Sequence, residues 1–347
     1  MKNSEQLVKD ILKRKFDMII LDEAHRIKNR KAKSTKNIFK LTKIPKRLVL
    51  TATPGHDKPE DIWSLLHFLY PDIYTSYYKW ADYWLQTKVV YTPRGAIEIP
   101  CGIKKHLKDQ FALELSKIAI MRKRKDVMSW TYEPDVIDIP LETGKLQQKH
   151  LDELEQWYET DDVVCSGVLD RLIRYRQICN MPAILNLSGD SPKEKWILSY
   201  IKENPDKHIL IFSSSVLSLK RLNSIIPSSQ LIYGDVALDD RQAIVDEFQN
   251  GGVKILLLQT QSCKEGLTLD RADDTIFLDL YPPAADYQQA KDRMIATSPD
   301  RVKPQNIYRL YMQSTFDESC IDMVDRHISQ TDVLNNFKNY IRRNKDE

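Results

Sequence analysis

The stretch MIILDEAHRIKN, residues 18–29, decides how the chain is read. Four apolar residues come first, and Asp22 and Glu23 follow at once. A short apolar run of this kind reads as a buried parallel strand, and in an open α/β sheet ligands collect at the carboxyl ends of such strands. KRLVLTATP, residues 46–54, repeats the pattern: an apolar strand, then Thr51 and Thr53, stopped by Pro54. The basic segment RKAKSTKNIFKLTKI between them is weakly helical, so the two strands and the helix form a βαβ unit.

Asp22, Glu23, Thr51 and Thr53 all fall at strand ends. A first carboxylate there suits Mg²⁺ held against phosphate oxygens. The adjacent one points elsewhere and suits polarising an attacking water. His25 is placed to link that site to the neighbouring strand end. An isolated Asp-Glu pair would be read as a simple strand-to-helix cap. The LTATP segment that follows reverses that reading.

A length of 347 residues, at about 150 per domain, suggests about two domains. With 42% hydrophobic and 29% charged residues the composition is that of an ordinary globular protein. The net charge of +3 implies that any nucleic-acid surface is a local groove, not a global basic field. Cys101, Cys165, Cys179, Cys263 and Cys320 contain no CxxC spacing, which argues against a disulfide framework or a zinc site and for a reducing compartment. No apolar run reaches the length of a membrane span, and the charged N-terminus is not a signal peptide. The expected location is therefore cytoplasmic, or nuclear in a eukaryote, with no membrane partner.

Beyond Asp57, DIWSLLHFLYP and SYYKWADYWL are aromatic-rich helical segments, and LKDQFALELSKIAIMRKRKDV is helical and ends basic. EPDVIDIPL alternates like a strand, and two further helices end at MPAIL. From Ser191, strands HILIFSSS, SQLIYGDV, VKILLLQT, DTIFLDL and YRLYM alternate with helices, which implies a parallel sheet covered on both faces. The tail from 331 reads as frayed or docked as a last helix.

LDEAHRIKN (21–29) and LTATP (50–54) resemble motifs II and III of superfamily 2 helicases, and the HRIKN extension is similar to the Swi/Snf-type branch of DNA translocases. MRKRKDV (121–127), YRQICNMPAIL (175–185), HILIFSSS (208–215), LLLQTQSCKEGLTLDRADDTIFLDL (256–280) and QQAKDR (288–293) resemble later segments of that family in the family's order. The resemblance implies an α/β fold with two RecA-like parallel-sheet lobes, the first incomplete, and helical insertions between them. It implies boundaries at 1–56 for the end of lobe one, 57–190 for the helical insertion and inter-lobe segment, 191–330 for lobe two and 331–347 for the tail. It implies ATP and Mg²⁺ as cofactors and double-stranded DNA as partner. Carried onto this sequence, Asp22 would hold Mg²⁺, Glu23 would position the water, and Thr51 and Thr53 would couple the site to DNA. Gly266 and Thr268 would serve motif V, while Gln289 and Arg293 would reach the nucleotide from lobe two. An arginine delivered in this way makes hydrolysis conditional on lobe closure.

Two departures from the family pattern stand out. A second motif VI arginine is expected where Ala296 stands, and Arg301 lies in the following loop out of register. Some phage-encoded relatives share this short Ala/Thr/Ser ending, so a phage or mobile-element origin is expected. No GxxxxGK[ST] phosphate-binding loop occurs in the chain, and the 17 residues ahead of Met18 are too few for a βα unit of about 30. The expectation is an ATPase inactive without a missing or separately encoded P-loop polypeptide. The alternative is a non-catalytic DNA-binding or regulatory remnant.

Arg26, Lys28 and Asn29 belong to a basic cluster suited either to phosphate contact or to a solvated face. Ser213 and Ser214 end a strand of lobe two and are candidates for DNA-backbone contact. The aromatic residues from Trp63 to Trp84 suit base stacking or, more simply, the core of the insertion.

Overall fold

The computed structural model describes residues 4–51, 59–92, 95–122, 124–128, 132–156, 165, 167–264, 267–281, 284–296, 299–326, 333 and 336–341. Two candidate residues, Thr53 and Gly266, lie outside the described residues. The chain divides into two units, Met1–Arg122 and Lys123–Glu347.

The first unit opens with α1 (Ser4–Lys13), β1 (Met18–Leu21), α2 (Lys33–Phe39) and β2 (Lys46–Val49). β1 and β2 pair in parallel, Met18 opposite Lys46 and Leu21 opposite Val49, which is the βαβ unit read from sequence. One face of this pair packs Ile19, Leu21 and Val49 onto Val8, Ala24, Ile27, Leu41, Leu65 and Phe68. The expectation of fully buried strands fails on the other face. Met18, Ile20, Leu48 and Leu50 are 46%, 53%, 41% and 46% exposed. Side chains alternate across a strand, and among the described residues of this unit helices pack on one face of the two-stranded sheet.

The rest of the unit is α3 (Ile62–Leu69), α4 (Tyr77–Trp84), β3 (Leu85–Thr92), β4 (Gly95–Ile103) and α5 (Lys108–Ser116). Trp63, Leu66, Trp80, Leu85 and Phe111 form its core, so the aromatic cluster serves largely to pack this region. The antiparallel β3–β4 hairpin was not read from sequence, although the TPRG turn signal separates its two arms.

The second unit contains α6 (Arg124–Val127), β5 (Asp135–Leu141), α7 (Lys145–Gln156), α8 (Val168–Asn180), α9 (Pro192–Glu203), β6 (Ile209–Ser213) and α10 (Val216–Ile225). It continues with β7 (Ser229–Ile232), α11 (Leu238–Asn250), β8 (Ile255–Gln259), β9 (Asp274–Phe277), α12 (Ala284–Asp292), β10 (Asn306–Met312) and α13 (Phe316–Asp325). Its six strands lie in the order β5-β10-β9-β6-β8-β7, and every adjacent pair is parallel.

Alternation explains why the central strands are apolar on both faces. Leu210 and Phe212 of β6, Leu256 and Leu258 of β8 and Phe277 of β9 enter one core layer. Ile209 and Ile211, Ile255 and Leu257, and Ile276 enter the layer on the opposite face. A parallel sheet with both faces covered is the α/β architecture expected for lobe two.

The span 57–190 divides at Arg122/Lys123, and its later part supplies the edge strand β5. Arg309 of β10 fastens that edge, bonding Asp138 at 2.5 and 2.8 Å and Asp325 of α13 at 2.6 Å. The expected tail from 331 is docked at least in part, since Phe337 and Ile341 are buried with Tyr175 and Phe316.

Candidate functional site

In the first unit the strand ends hold the acidic pair in a fixed arrangement. The Leu50 N–H donates to Leu21 O at 2.8 Å, and the Ala24 N–H donates to Leu50 O at 2.9 Å. The end of β1 is thereby latched to the end of β2, beside Thr51. Asp22 Oδ1 accepts the Glu23 N–H at 2.8 Å. Glu23 has φ 48° and ψ 46°, the left-handed region, and starts the 3₁₀ turn Ala24–Ile27. A non-glycine residue there is strained by about 1–3 kcal/mol, and such strain concentrates at functional sites. His25 Nδ1 lies 3.1 Å from Glu23 Oε2, within ion-pair reach once the imidazole is protonated.

The loop that follows is also anchored. Ser64 Oγ of α3 donates to Lys28 O at 2.9 Å, and Asn29 Oδ1 accepts the Lys31 N–H at 3.0 Å. Asn29 therefore shapes its own turn, while the side chains of Arg26 and Lys28 are exposed.

In the second unit the carboxyl ends of β6 and β9 meet at Asp279. Its Oδ2 accepts from Asn180 Nδ2 at 2.7 Å and from Ser213 Oγ at 2.5 Å. Its Oδ1 accepts from the Ser214 N–H at 3.0 Å and from Ser214 Oγ at 2.8 Å. Arg176 of α8 stands 3.5 Å away, hydrogen-bonds Ser214 Oγ, and stacks on the Tyr281 ring at 3.7 Å. Burial alone would raise the Asp279 pKa, but Arg176, Ser213, Ser214 and Lys193 together hold it below the ordinary carboxylate value. Beside it, buried Lys193 pairs with buried Asp317 at 2.6 Å.

This network revises one expectation. Ser213 is fully buried and spends its hydroxyl on Asp279, so it is not placed to touch a DNA backbone. Ser214 is half-buried and bonded to the same carboxylate. Sequence reading saw three serines at a strand end. It missed Asp279, whose role shows only once residues 180, 213 and 279 share a site. Cys179 is packed core, as expected.

Gln289 and Arg293 belong to α12 and the turn after it, which is tied back by the Leu269 N–H donating to Arg293 O at 2.8 Å. Gln289 Oε1 is buried and accepts no hydrogen bond among the described residues. Thr268 lies half-buried in the segment between β8 and β9. Ala296 is buried, so the position where a second arginine was expected faces the core. The side chain of Arg301 is outside the described residues.

The model of the SNF2-related domain matches residues 3–184, more than half of the chain, and the helicase conserved C-terminal domain matches residues 192–296. The chain belongs to the SNF2-related family. This is the Swi/Snf-type branch of superfamily 2 helicase-like ATPases that the motif series resembles. Among curated relatives, the mouse SWI/SNF-related matrix-associated actin-dependent regulator of chromatin subfamily A member 1 is 27% identical, over 88% of this chain and 30% of its own length. The bovine DNA annealing helicase and endonuclease ZRANB3 is 23% identical, over 95% of this chain and 31% of its own. The chain thus spans less than a third of these relatives. Among solved structures, the Sulfolobus solfataricus SWI2/SNF2 ATPase core in complex with dsDNA aligns at 22% identity and a TM-score of 0.45, covering 92% of this chain and 69% of that one. The C-terminal part of the Fun30 ATPase domain aligns at 17% identity and a TM-score of 0.47, covering 60% and 98%. None of the described helices is long and apolar enough to cross a membrane.

Proposed function

We propose that this chain carries the Mg²⁺- and water-handling part of a double-stranded-DNA-dependent ATPase that couples hydrolysis to movement along the duplex. The latched strand ends that present Asp22 and Glu23 carry this reading. A hard carboxylate oxygen on Asp22 fits Mg²⁺, which binds through one or two carboxylates plus phosphates and needs no larger ligand cluster. When bound, Mg-ATP supplies the phosphoryl group and the charge that the site must stabilise. Glu23, with His25 in ion-pair reach, orients and polarises the attacking water. Gln289 binds the nucleotide through its free acceptor, and Arg293 stabilises charge on the transferred group. Thr51 couples the strand end to DNA, as Thr53 would. Arg26, Lys28 and Thr268 meet the phosphate backbone without sequence choice, and Gly266 of motif V serves the nucleotide.

The phosphate-gripping loop is supplied, in this reading, by polypeptide outside the 347 residues, either in the same gene product or as a separate chain. Two facts support it: no GxxxxGK[ST] pattern occurs in the sequence, and the β1–β2 sheet exposes four apolar side chains on one face. Parallel sheets are covered on both faces.

A second reading, a non-catalytic DNA-binding remnant, is favoured by the buried Ala296 alone. ATP binding and DNA-stimulated phosphate release discriminate between the two. The 347 residues alone should bind ATP weakly and turn over little. Turnover should appear when the P-loop polypeptide is added or fused upstream. Robust turnover by the isolated chain contradicts the proposed division, and none after complementation favours the remnant. A phage or mobile-element origin is tested by the genes flanking this one.

A further inference from the structure

A cleft of the first unit lies beside the motif II loop; of the residues that line it, only Lys28 has a part, as a DNA-backbone contact, in the function proposed above. It measures about 510 Å³ and is lined by Lys28, Arg30, Lys31, Glu60, Asp61 and Tyr77 among others. That volume falls in the range of small-molecule sites.

Three of its features are chemically specific. Arg30 lays its guanidinium carbon 3.7 Å above the centroid of the Tyr77 ring, with the exposed Tyr78 ring at 5.4 Å. A planar guanidinium parked on an aromatic ring is a platform on which a nucleobase stacks. Lys28 and Lys31 are exposed at the rim and place positive charge there. Glu60 Oε2 is buried and accepts no hydrogen bond among the described residues. Burial and the Glu60 carboxylate together raise the Tyr77 phenol above its ordinary pKa, which places that carboxylate's field at the platform.

A ligand that satisfies all three must bring a flat ring, an anion and a hydrogen-bond donor. We propose that this cleft binds a nucleotide whose base carries an exocyclic amine. The base stacks on Arg30 and Tyr77, its amine donates to Glu60 Oε2, and its phosphate meets Lys28 and Lys31. Adenine, cytosine and guanine offer that amine. Thymine offers only N3–H flanked by two carbonyl acceptors, which a carboxylate repels. Asp61 on the same wall adds to the selection for a donor edge over an acceptor edge. The loop is built before the ligand arrives, since Ser64 and Asn29 fix Lys28 and Lys31.

The same chemistry is available from a free mononucleotide or from an unpaired base of a nucleic-acid strand. The test is calorimetric titration of the full chain, without ATP, using CMP, GMP, TMP and inorganic phosphate, then short oligo(dC) and oligo(dT). CMP and GMP should bind about tenfold tighter than TMP, and phosphate should bind weakest. Glu60→Gln should erase the preference for CMP over TMP, and Arg30→Ala should weaken all bases together. Both variants are checked for a native circular-dichroism spectrum. If oligo(dC) binds more tightly per nucleotide than CMP, the source is an unpaired strand; if not, it is free nucleotide, and either ranking supports the site. Equal binding of CMP and TMP, a preference that survives Glu60→Gln, or no saturable binding at millimolar nucleotide overturns it. No step requires hydrolysis, so failure of the ATPase reading leaves this result intact, and the reverse holds as well.

Discussion

Replacing Asp279 by alanine tests whether its network organises the second unit. The carboxylate is buried, accepts four hydrogen bonds and faces Arg176. Its removal leaves Arg176, which is largely buried, without its charge partner at 3.5 Å. It also strands the hydroxyl of Ser213, which is fully buried, and the amide of Asn180. Breaking a buried ion pair from one side costs about 3–5 kcal/mol, and each orphaned donor adds about 1–3 kcal/mol less whatever relaxation recovers. A total of about 4 kcal/mol is a conservative figure, worth roughly 8–16 °C in Tm for a unit of this size. Urea unfolding followed by tryptophan fluorescence measures it, with Trp196 reporting from this unit. Asp279→Asn, which keeps the shape and part of the acceptor capacity, should lose less. A loss under about 1 kcal/mol for Asp279→Ala would mean that Arg176, Asn180 and the serines pair as well without it, and the hub assignment would be wrong.

Acid should destabilise the second unit in two stages. Burial, aided by Arg271, lowers the His208 pKa, so its contribution is complete above the ordinary 6.5 and is lost as pH falls below that value. The lowered Asp279 contributes fully above about 3.8 and is lost as pH falls through its folded value; urea midpoints across pH 3–8 follow both. Leu48→Glu should change the stability of the isolated chain by no more than about 0.5 kcal/mol, because Leu48 is on the uncovered face. Phe68→Ala beneath the opposite face should cost about 3–5 kcal/mol in the same unfolding assay. Gly251→Ala should cost about 1–2 kcal/mol, since φ there is +85°, and a Cβ would also meet Arg271 Nη2 at 2.7 Å.

The second sheet was the most legible part of the sequence. Its central strands β6 and β8 are apolar on both faces, so ILIFS and ILLLQ announce themselves without a partner. The strand ends carrying Asp22 and Glu23 were equally plain, because the acid follows the apolar run directly. The β3–β4 hairpin was missed because it is largely exposed, and its arm GAIEIPCGI carries two glycines and a proline that mask a strand pattern. The role of β5 was missed because its place at the sheet edge depends on Arg309 reaching Asp138 from far along the chain. Ser213 was assigned to DNA contact for the same kind of reason. Its true partner, Asp279, is a pairing between distant segments that no local pattern encodes.

If Glu23 positions the water while Asp22 holds the metal, one substitution separates these roles. Glu23→Gln keeps the side-chain shape and removes the charge. In the complete ATPase, with duplex DNA present, it should lower phosphate release by at least about a hundredfold while leaving ATP binding unchanged. Turnover that stays at the wild-type rate in that variant would remove Glu23 from the reaction and contradict the account.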